Sequence, residues 1–416
     1  MSERTALPET GSDWQSLKAR LEAAKAEDVD WRNGRAAVYV HYAGDDVLRV
    51  AKEAHSLYFS ENALGAGSAF PSLRRLEADI VAMTLSLLNA PEEARGNVTS
   101  GGSESIFLAV KAARDWARAE RPDARAPTIL LAKTAHPAFD KAAHYLGLRT
   151  QRVPVDRTSF RADPEAMAAA VDDDTIMVVG SAPAFPHGVV DPIEAIAALA
   201  LRHDLWCHVD ACVGGFSLPF VRRLGHPVPA FDLGVPGVTS ISADLHKYGF
   251  TAKGASTISY VDAEHQAYQA YDFSDWPRGR YFTHNFGGTR PGGPIAAAWA
   301  VMNYLGEAGY LAITEKILAA REGICAGIAE ADLRIWGEPE MGVFAYGSPR
   351  HDMAQIGQGL SREGWLVGYL QEPHGIHLML TPAHAPAVDA YVDAVLRAAR
   401  STAAGQVSPV EAGSYT

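Results

Sequence analysis

The chain has 416 residues, 48% hydrophobic and 21% charged, with a formal net charge of −12. This is the composition of a soluble globular protein large enough for two lobes, and an acidic chain with no lysine or arginine run argues against nucleic acid or an anionic membrane as partner. No apolar stretch reaches the length of a membrane span, Met1–Gly11 is polar with no signal-peptide core, and three cysteines (Cys207, Cys212, Cys325) in no metal-ligand pattern suit a reducing, cytoplasmic compartment.

Asp13–Val29 reads as a charged amphipathic helix, Trp31–Tyr42 as an extended aromatic segment and Asp45–Leu57 as a helix. Asn62–Pro71 is an uncharged Gly/Ala/Ser loop of the kind that lies against another subunit or a ligand. Ser72 is placed to N-cap a helix running to about Leu88. From Asn97 to Tyr260, apolar runs at Thr128–Leu131, Thr175–Val179, Leu205–Val209, Val238–Ile241 and Ala255–Tyr260 read as strands. Helical stretches lie between several of them, at Ser103–Ala119, Pro137–Leu146, Asp163–Val171 and Pro192–His203. The alternation predicts an α/β domain around a mostly parallel sheet, with ligands at strand ends. Pro291–Tyr304 and Tyr310–Ala329 read as long helices. Arg334–Tyr346, helical Met353–Glu363 and Ile376–Leu380 then suggest a smaller α/β lobe, closed by a helix at Pro386–Ala399 with its proline in the first turn. The expected division is an N-terminal segment (1–60), a large domain (61–308), a small C-terminal domain (309–400) and a disordered tail (401–416).

Several stretches carry chemistry. Val98-Thr-Ser-Gly-Gly-Ser-Glu-Ser-Ile106 joins a strand-like residue to a long helix. Its glycines let backbone approach a ligand, and free N–H groups at the helix start attract phosphate, with Ser100 and Ser103 adding hydroxyls; a well-capped helix is the plain alternative. His136 opens a helix after a strand, where an imidazole either stacks on an aromatic cofactor or is satisfied by backbone. In His208-Val-Asp-Ala-Cys-Val-Gly-Gly-Phe216, Asp210 ends a buried strand and needs a partner, either a protonated heterocyclic nitrogen or an arginine. Gly237–Phe250 begins as a buried strand and ends in Asp244-Leu-His-Lys-Tyr-Gly249. Desolvation of a lysine so placed lowers its pKa and frees the amine to attack a carbonyl; a loop lysine paired with Asp244 is the alternative. Phe286-Gly-Gly-Thr-Arg-Pro-Gly-Gly293 is a second glycine-rich loop opening a helix, also suited to phosphate. Together these are the parts that hold pyridoxal phosphate as a Schiff base: a phosphate cradle, a stacking histidine, a buried aspartate and, 37 positions later, a lysine.

In these stretches the sequence resembles the sphingosine-1-phosphate lyases, within the group II pyridoxal-phosphate decarboxylases of the aspartate-aminotransferase fold (type I). The matching segments are Val98–Ile106, His136–Ala143, Phe185–Pro192, His208–Phe216, Gly237–Tyr248 and Arg290–Gly293, in the family's order, and the likeness runs from about Trp31 to Ala399. The resemblance implies that Lys247 carries the cofactor, Asp210 pairs with its pyridine nitrogen and His136 stacks on its ring. Ser100, Gly101, Gly102 and Ser103 would hold the cofactor phosphate with His246, joined by Gly288 and Thr289 from a partner subunit. It implies a homodimer with shared active sites, no metal, and a small-molecule substrate. Tyr39 and Lys253 occupy the positions that contact the substrate phosphate in the lyases. The family's Asn-Pro-Leu-His stretch here reads Asn62-Ala63-Leu64-Gly65, so a histidine is missing, and His41, His284 or Arg280 are the groups available to replace it. The expected reaction is cleavage of a phosphorylated long-chain base to an aldehyde and phosphoethanolamine. An amino-acid α-decarboxylase, with Arg290 or Arg280 placing the substrate carboxylate, is the first rival. A cofactor-binding scaffold without catalysis is the second, and retention of Lys247, Asp210 and His136 together argues against it.

Overall fold

The computed structural model describes residues 5–402. Among them, β1 (Arg95–Thr99), β2 (Thr128–Ala132), β3 (Arg149–Val153), β4 (Thr175–Ser181), β5 (Trp206–Asp210), β6 (Ser240–Ala243) and β7 (Ser256–Tyr260) form a sheet in the order β1-β7-β6-β5-β4-β2-β3. Pairs β2–β3, β2–β4, β4–β5 and β5–β6 are parallel, and β7 runs against both its neighbours. Strands β4 to β7 are buried along their whole length, which is why their sequences read as near-continuous runs of apolar and small residues. Edge strand β3, Arg-Thr-Gln-Arg-Val, is mostly solvated and carries no apolar signal, so the hydrophobic pattern passes over it.

Because β1, β2, β4, β5 and β6 share one direction, their C-terminal ends Thr99, Ala132, Ser181, Asp210 and Ala243 lie along one edge of the sheet. The loops that carry Gly101–Ser103, His136, Asp210 and Lys247 leave from that edge, the place where open α/β sheets bind ligands. A short ribbon, β8 (Tyr271–Phe273) with β9 (Tyr281–Thr283), follows the sheet and was not anticipated. The small lobe is an antiparallel sheet of β10 (Arg334–Ile335), β11 (Val343–Gly347), β12 (Gly368–Gln371) and β13 (His374–Met379) in the order β10-β11-β13-β12. Helices Met353–Arg362 and Val388–Thr402 belong to this lobe.

The helices depart from expectation at their ends. Helix Trp14–Ala24 is shorter than Asp13–Val29, and Asp13 caps it by accepting from the Ser16 N–H. The extended segment Trp31–Tyr42 instead starts with a 3₁₀ turn at Trp31–Asn33. Pro71, not Ser72, opens helix Pro71–Leu87, because its fixed φ and missing N–H cost nothing in the first turn. The helices expected on either side of residues 305–309 form one run, Gly292–Ala329, broken by Gly306 at φ 52°, ψ −173°, a conformation that glycine adopts without strain. Pro386 lies in the 3₁₀ turn Pro382–Ala387, before the last helix rather than in its first turn. That helix extends to Thr402, so the first two residues of the expected tail are helical; 403–416 lie outside the described residues. Among the described residues no helix is long and apolar enough to cross a membrane.

Near the N-terminus the chain is laced to the small lobe. Leu366 N–H donates to Arg35 O (2.8 Å), Ala37 N–H to Leu366 O (2.9 Å) and Met379 N–H to Ala37 O (2.7 Å). This lacing leads to His41, whose ring packs 5.1 Å from that of Tyr248 in the turn after β6.

Candidate active site

Strand β6 ends at Ala243 and the chain turns through Asp244–Gly249. Lys247 Nζ lies 2.9 Å from Asp244 Oδ2; the carboxylate is fully buried and the lysine side chain about a quarter exposed. Asp244 Oδ1 accepts from Ser256 Oγ at 2.5 Å, and His246 Nε2 stands 3.7 Å from Oδ2. Burial pulls the Lys247 pKa down, but Asp244, with smaller pulls from Cys212 and Asp210, outweighs it, and the net shift is upward. Burial likewise pushes Asp244 up, while Lys247, His246 and Ser256 bring it net below the usual carboxylate range. Of the two readings weighed for Lys247, the pairing with Asp244 is the one present, and it holds the amine above its ordinary pKa.

The first glycine-rich loop is pressed against this turn. A Cβ at Gly102 would sit 2.8 Å from Asp244 Oδ2 and 2.8 Å from Cys212 Sγ, so no side chain fits there. At Gly101 it would sit 3.3 Å from His246 Cε1. Gly102 starts the 19-residue helix Gly102–Glu120, whose first amides have no intrahelical acceptor. His246 Nδ1, buried beside them, has no hydrogen-bond partner either. A helix start, an unpartnered imidazole nitrogen and a neighbouring lysine make a cradle that fits the phosphate of pyridoxal phosphate next to the amine that would hold its aldehyde.

Ser100 faces elsewhere. Its N–H and Oγ both donate to Glu104 Oε2, at 2.7 and 2.6 Å, and Glu104 Oε1 takes the Phe286 N–H at 3.0 Å. Asn285 Nδ2 also donates to Val98 O (2.8 Å), so the second glycine-rich loop is clasped to the first within one chain. Gly288 lies under the ribbon, its notional Cβ 3.3 Å from the Tyr281 hydroxyl, and Thr289 Oγ1 accepts from Asn62 Nδ2 at 3.3 Å. Ser100, Ser103, Phe286, Thr289 and Tyr145 share the lining of a cavity of about 310 Å³ that Lys247, Asp210 and His136 do not line.

Asp210 closes β5, buried, with Oδ1 accepting from the Cys212 N–H at 3.1 Å. Among the described residues no arginine or lysine forms an ion pair with it, so the arginine partner considered from sequence is not there. His136 follows β2, with Nδ1 accepting from the Ala138 N–H at 3.1 Å. Burial lowers its pKa, against an upward pull from Asp210, and Lys247 adds to the lowering; the imidazole is thus a neutral ring within reach of both groups. His208, by contrast, is a core residue, with its ring nitrogens at 2.8 and 3.2 Å from the hydroxyls of Ser240 and Ser242.

Lys253 Nζ donates to His246 O at 3.2 Å. Tyr39, at φ 67°, leaves 56% of its surface exposed. Gly65 lies against Phe70, whose Cδ2 would be 3.1 Å from an added Cβ. The cations available to a decarboxylase are already engaged: Arg290 pairs with Glu77, and Arg280 with Asp272 at 2.6 Å on the ribbon. Sequence reasoning missed the part of Glu104; its signal was the four-residue spacing from Ser100, which returns a carboxylate to the start of its own helix.

Residues 14–333 match the pyridoxal-dependent decarboxylase conserved domain. The sphingosine-1-phosphate lyase of Oryza sativa subsp. japonica is 42% identical over 92% of this chain and 71% of its own length. The structure of a Burkholderia pseudomallei sphingosine-1-phosphate lyase superposes with a TM-score of 0.92 at 36% identity, covering 96% of this chain and 93% of that one. A Lactobacillus brevis glutamate decarboxylase superposes with a TM-score of 0.83 over 98% and 97% of the two chains; at 19% identity it shares the fold alone.

Proposed function

This chain belongs to the sphingosine-1-phosphate lyases within the pyridoxal-dependent decarboxylase family, and we propose that it cleaves a phosphorylated long-chain amino alcohol to a fatty aldehyde and phosphoethanolamine. The observation that carries the reading is the meeting of Lys247, Asp210, His136 and the Gly102 helix start at one sheet edge, in a chain alike over nearly its whole length to proteins named for that reaction. Bound there, pyridoxal phosphate supplies an aldehyde and an electron-accepting ring. The chain supplies the rest. Lys247 anchors the aldehyde carbon, Asp210 holds a proton on the pyridine nitrogen, and His136 covers the ring. Gly102, Ser103 and His246 hold the phosphate, and Lys253 and Tyr39 face the substrate's phosphate. The bond broken joins the amine-bearing carbon to the hydroxyl-bearing carbon; the hydroxyl gives up its proton and the amine-bearing carbon gains one.

A homodimer with shared sites is part of the proposal. It is supported by large apolar side chains left open around the phosphate loops, among them Phe286 (72% exposed) and Tyr145 (65%). So is a cytoplasmic location, consistent with free Cys207, Cys212 and Cys325, and so is the absence of a nucleic-acid partner, in keeping with the net charge of −12. The test is product analysis. Incubated with a phosphorylated long-chain base, the cofactor-loaded protein releases aldehyde and phosphoethanolamine in equal amounts. Release of carbon dioxide from an amino acid, with neither product from the base, refutes the lyase reading.

A further inference from the structure

Beside the lysine turn, not every basic group has a counter-charge within ion-pair distance. Asp244 balances Lys247, but among the described residues the ammonium of Lys253 meets only a backbone carbonyl, at 3.2 Å, and His246 Nδ1 has no partner. A further basic group joins them. His41 is brought there by the segment laced to the small lobe, and its ring packs edge-on against Tyr248, centroids 5.1 Å apart at 80°. Both of its ring nitrogens are buried, with no hydrogen-bond partner among the described residues. Burying an imidazole with neither nitrogen satisfied is costly, so its place needs a reason. Burial is the chief cause that lowers its pKa, and Lys253, Lys247 and His246 all push the same way. The field at His41 is therefore positive from every charged group that faces it, and Tyr248 is its neutral neighbour.

We propose that His41 is a specificity-determining residue that, with Lys253, binds the phosphate group of the substrate. This deepens the lyase reading and rests on it. A phosphate dianion between the two side chains reverses the field that keeps the imidazole neutral. His41 then takes up a proton and donates a charge-assisted hydrogen bond. An unphosphorylated amine offers it nothing. The other two groups able to replace the missing histidine at Gly65 are elsewhere: Arg280 is held by Asp272 on the ribbon, and His284 packs edge-on against Phe282 with Lys111 as its charged neighbour.

Calorimetry on cofactor-loaded protein tests this, since the cofactor's own phosphate site is then filled. Phosphoethanolamine and ethanolamine serve as probes, each in two buffers of different ionisation heat, so that proton uptake is read directly. Wild type is expected to prefer phosphoethanolamine and to take up protons with it. His41→Phe keeps a ring against Tyr248 but removes the nitrogens. It should bind phosphoethanolamine about tenfold to a hundredfold more weakly, lose the uptake, and bind ethanolamine as before. His41→Asn should behave alike. Wild-type affinity and uptake in His41→Phe overturn the proposal and leave the lyase reading standing. A wild type that binds both probes equally overturns the phosphorylated-substrate reading and this inference with it. Loss of cofactor loading in both variants assigns His41 to packing and also overturns it.

Discussion

Asp244→Asn tests what the ion pair does to the lysine. The change keeps the shape of the side chain and the hydrogen bond from Ser256, and removes one charge. Two unit charges 2.9 Å apart attract by about 5.7 kcal/mol at an effective dielectric of 20 and by about 1.4 kcal/mol in bulk water. Lys247 is about a quarter exposed, so its case lies between these limits, and its pKa should fall by about one to four units in the variant. The sign follows from the direction of the wild-type shift. Lys247 is held above its ordinary value, so its neutral form appears only as pH rises well into the alkaline range, and removing the carboxylate moves that rise to lower pH. The stability that the raised pKa contributes is present at neutral pH and is lost as pH climbs through it, so the variant should also show a flatter alkaline fall in Tm. The assay is the rate at which cofactor-free protein captures added pyridoxal phosphate, followed by absorbance across the neutral and alkaline range. The variant should capture cofactor faster at neutral pH. A rate profile that superposes on wild type refutes the argument that Asp244 governs the amine.

Three further outcomes follow from the same geometry. Gly102→Ala places a methyl 2.8 Å from Asp244 and Cys212, an overpacking that should cost about 1–3 kcal/mol and lower Tm together with cofactor affinity; an unchanged melting curve and cofactor titration contradict it. Asp210→Asn should retain cofactor while turnover falls by roughly a hundredfold or more, because the charge that holds the ring nitrogen's proton is gone; near-normal turnover makes Asp210 structural. Inactive Lys247→Ala and Thr289→Ala proteins, mixed with confirmed subunit exchange, should regain up to about a quarter of wild-type activity if Thr289 serves the partner's site; no recovery, with the Thr289 variant itself damaged, means each chain completes its own.

Strands β2 and β4 to β7 were legible because they are buried along their whole length. Thr175–Ser181 and Trp206–Asp210 lie wholly inside, so their apolar and small residues run on without polar interruption, and the helices between them carry a clear period. Where burial is one-sided or absent, the signal fails. Strand β3 and the ribbon β8–β9 are exposed for most of their length, held by backbone pairing that leaves no mark on side-chain pattern. Helix ends failed for a different reason. Several plausible caps compete within a few residues, and Pro71 takes the position that Ser72 also suits.

At the site the residue types were legible and their pairings were not. Lysine after a buried strand suggested two exclusive readings, an activated amine or an ion-paired one, and the two were weighed as rivals. The structure holds the second: Lys247 is paired with Asp244 at 2.9 Å. The amine needs a place out of water to hold an aldehyde, and an ammonium waiting in that place needs a counter-charge until the cofactor arrives. Asp244 provides it from three residues away, and Gly102 leaves it the room. The same reasoning separates the two functions considered. A decarboxylase must present a free cation to the substrate carboxylate, yet Arg290 is closed by Glu77 and Arg280 by Asp272. The uncommitted positive charge lies instead at Lys253, with His246 and His41 beside it. That flank has charge to spare for a dianion, which is what a phosphorylated amino alcohol brings and an α-amino acid does not.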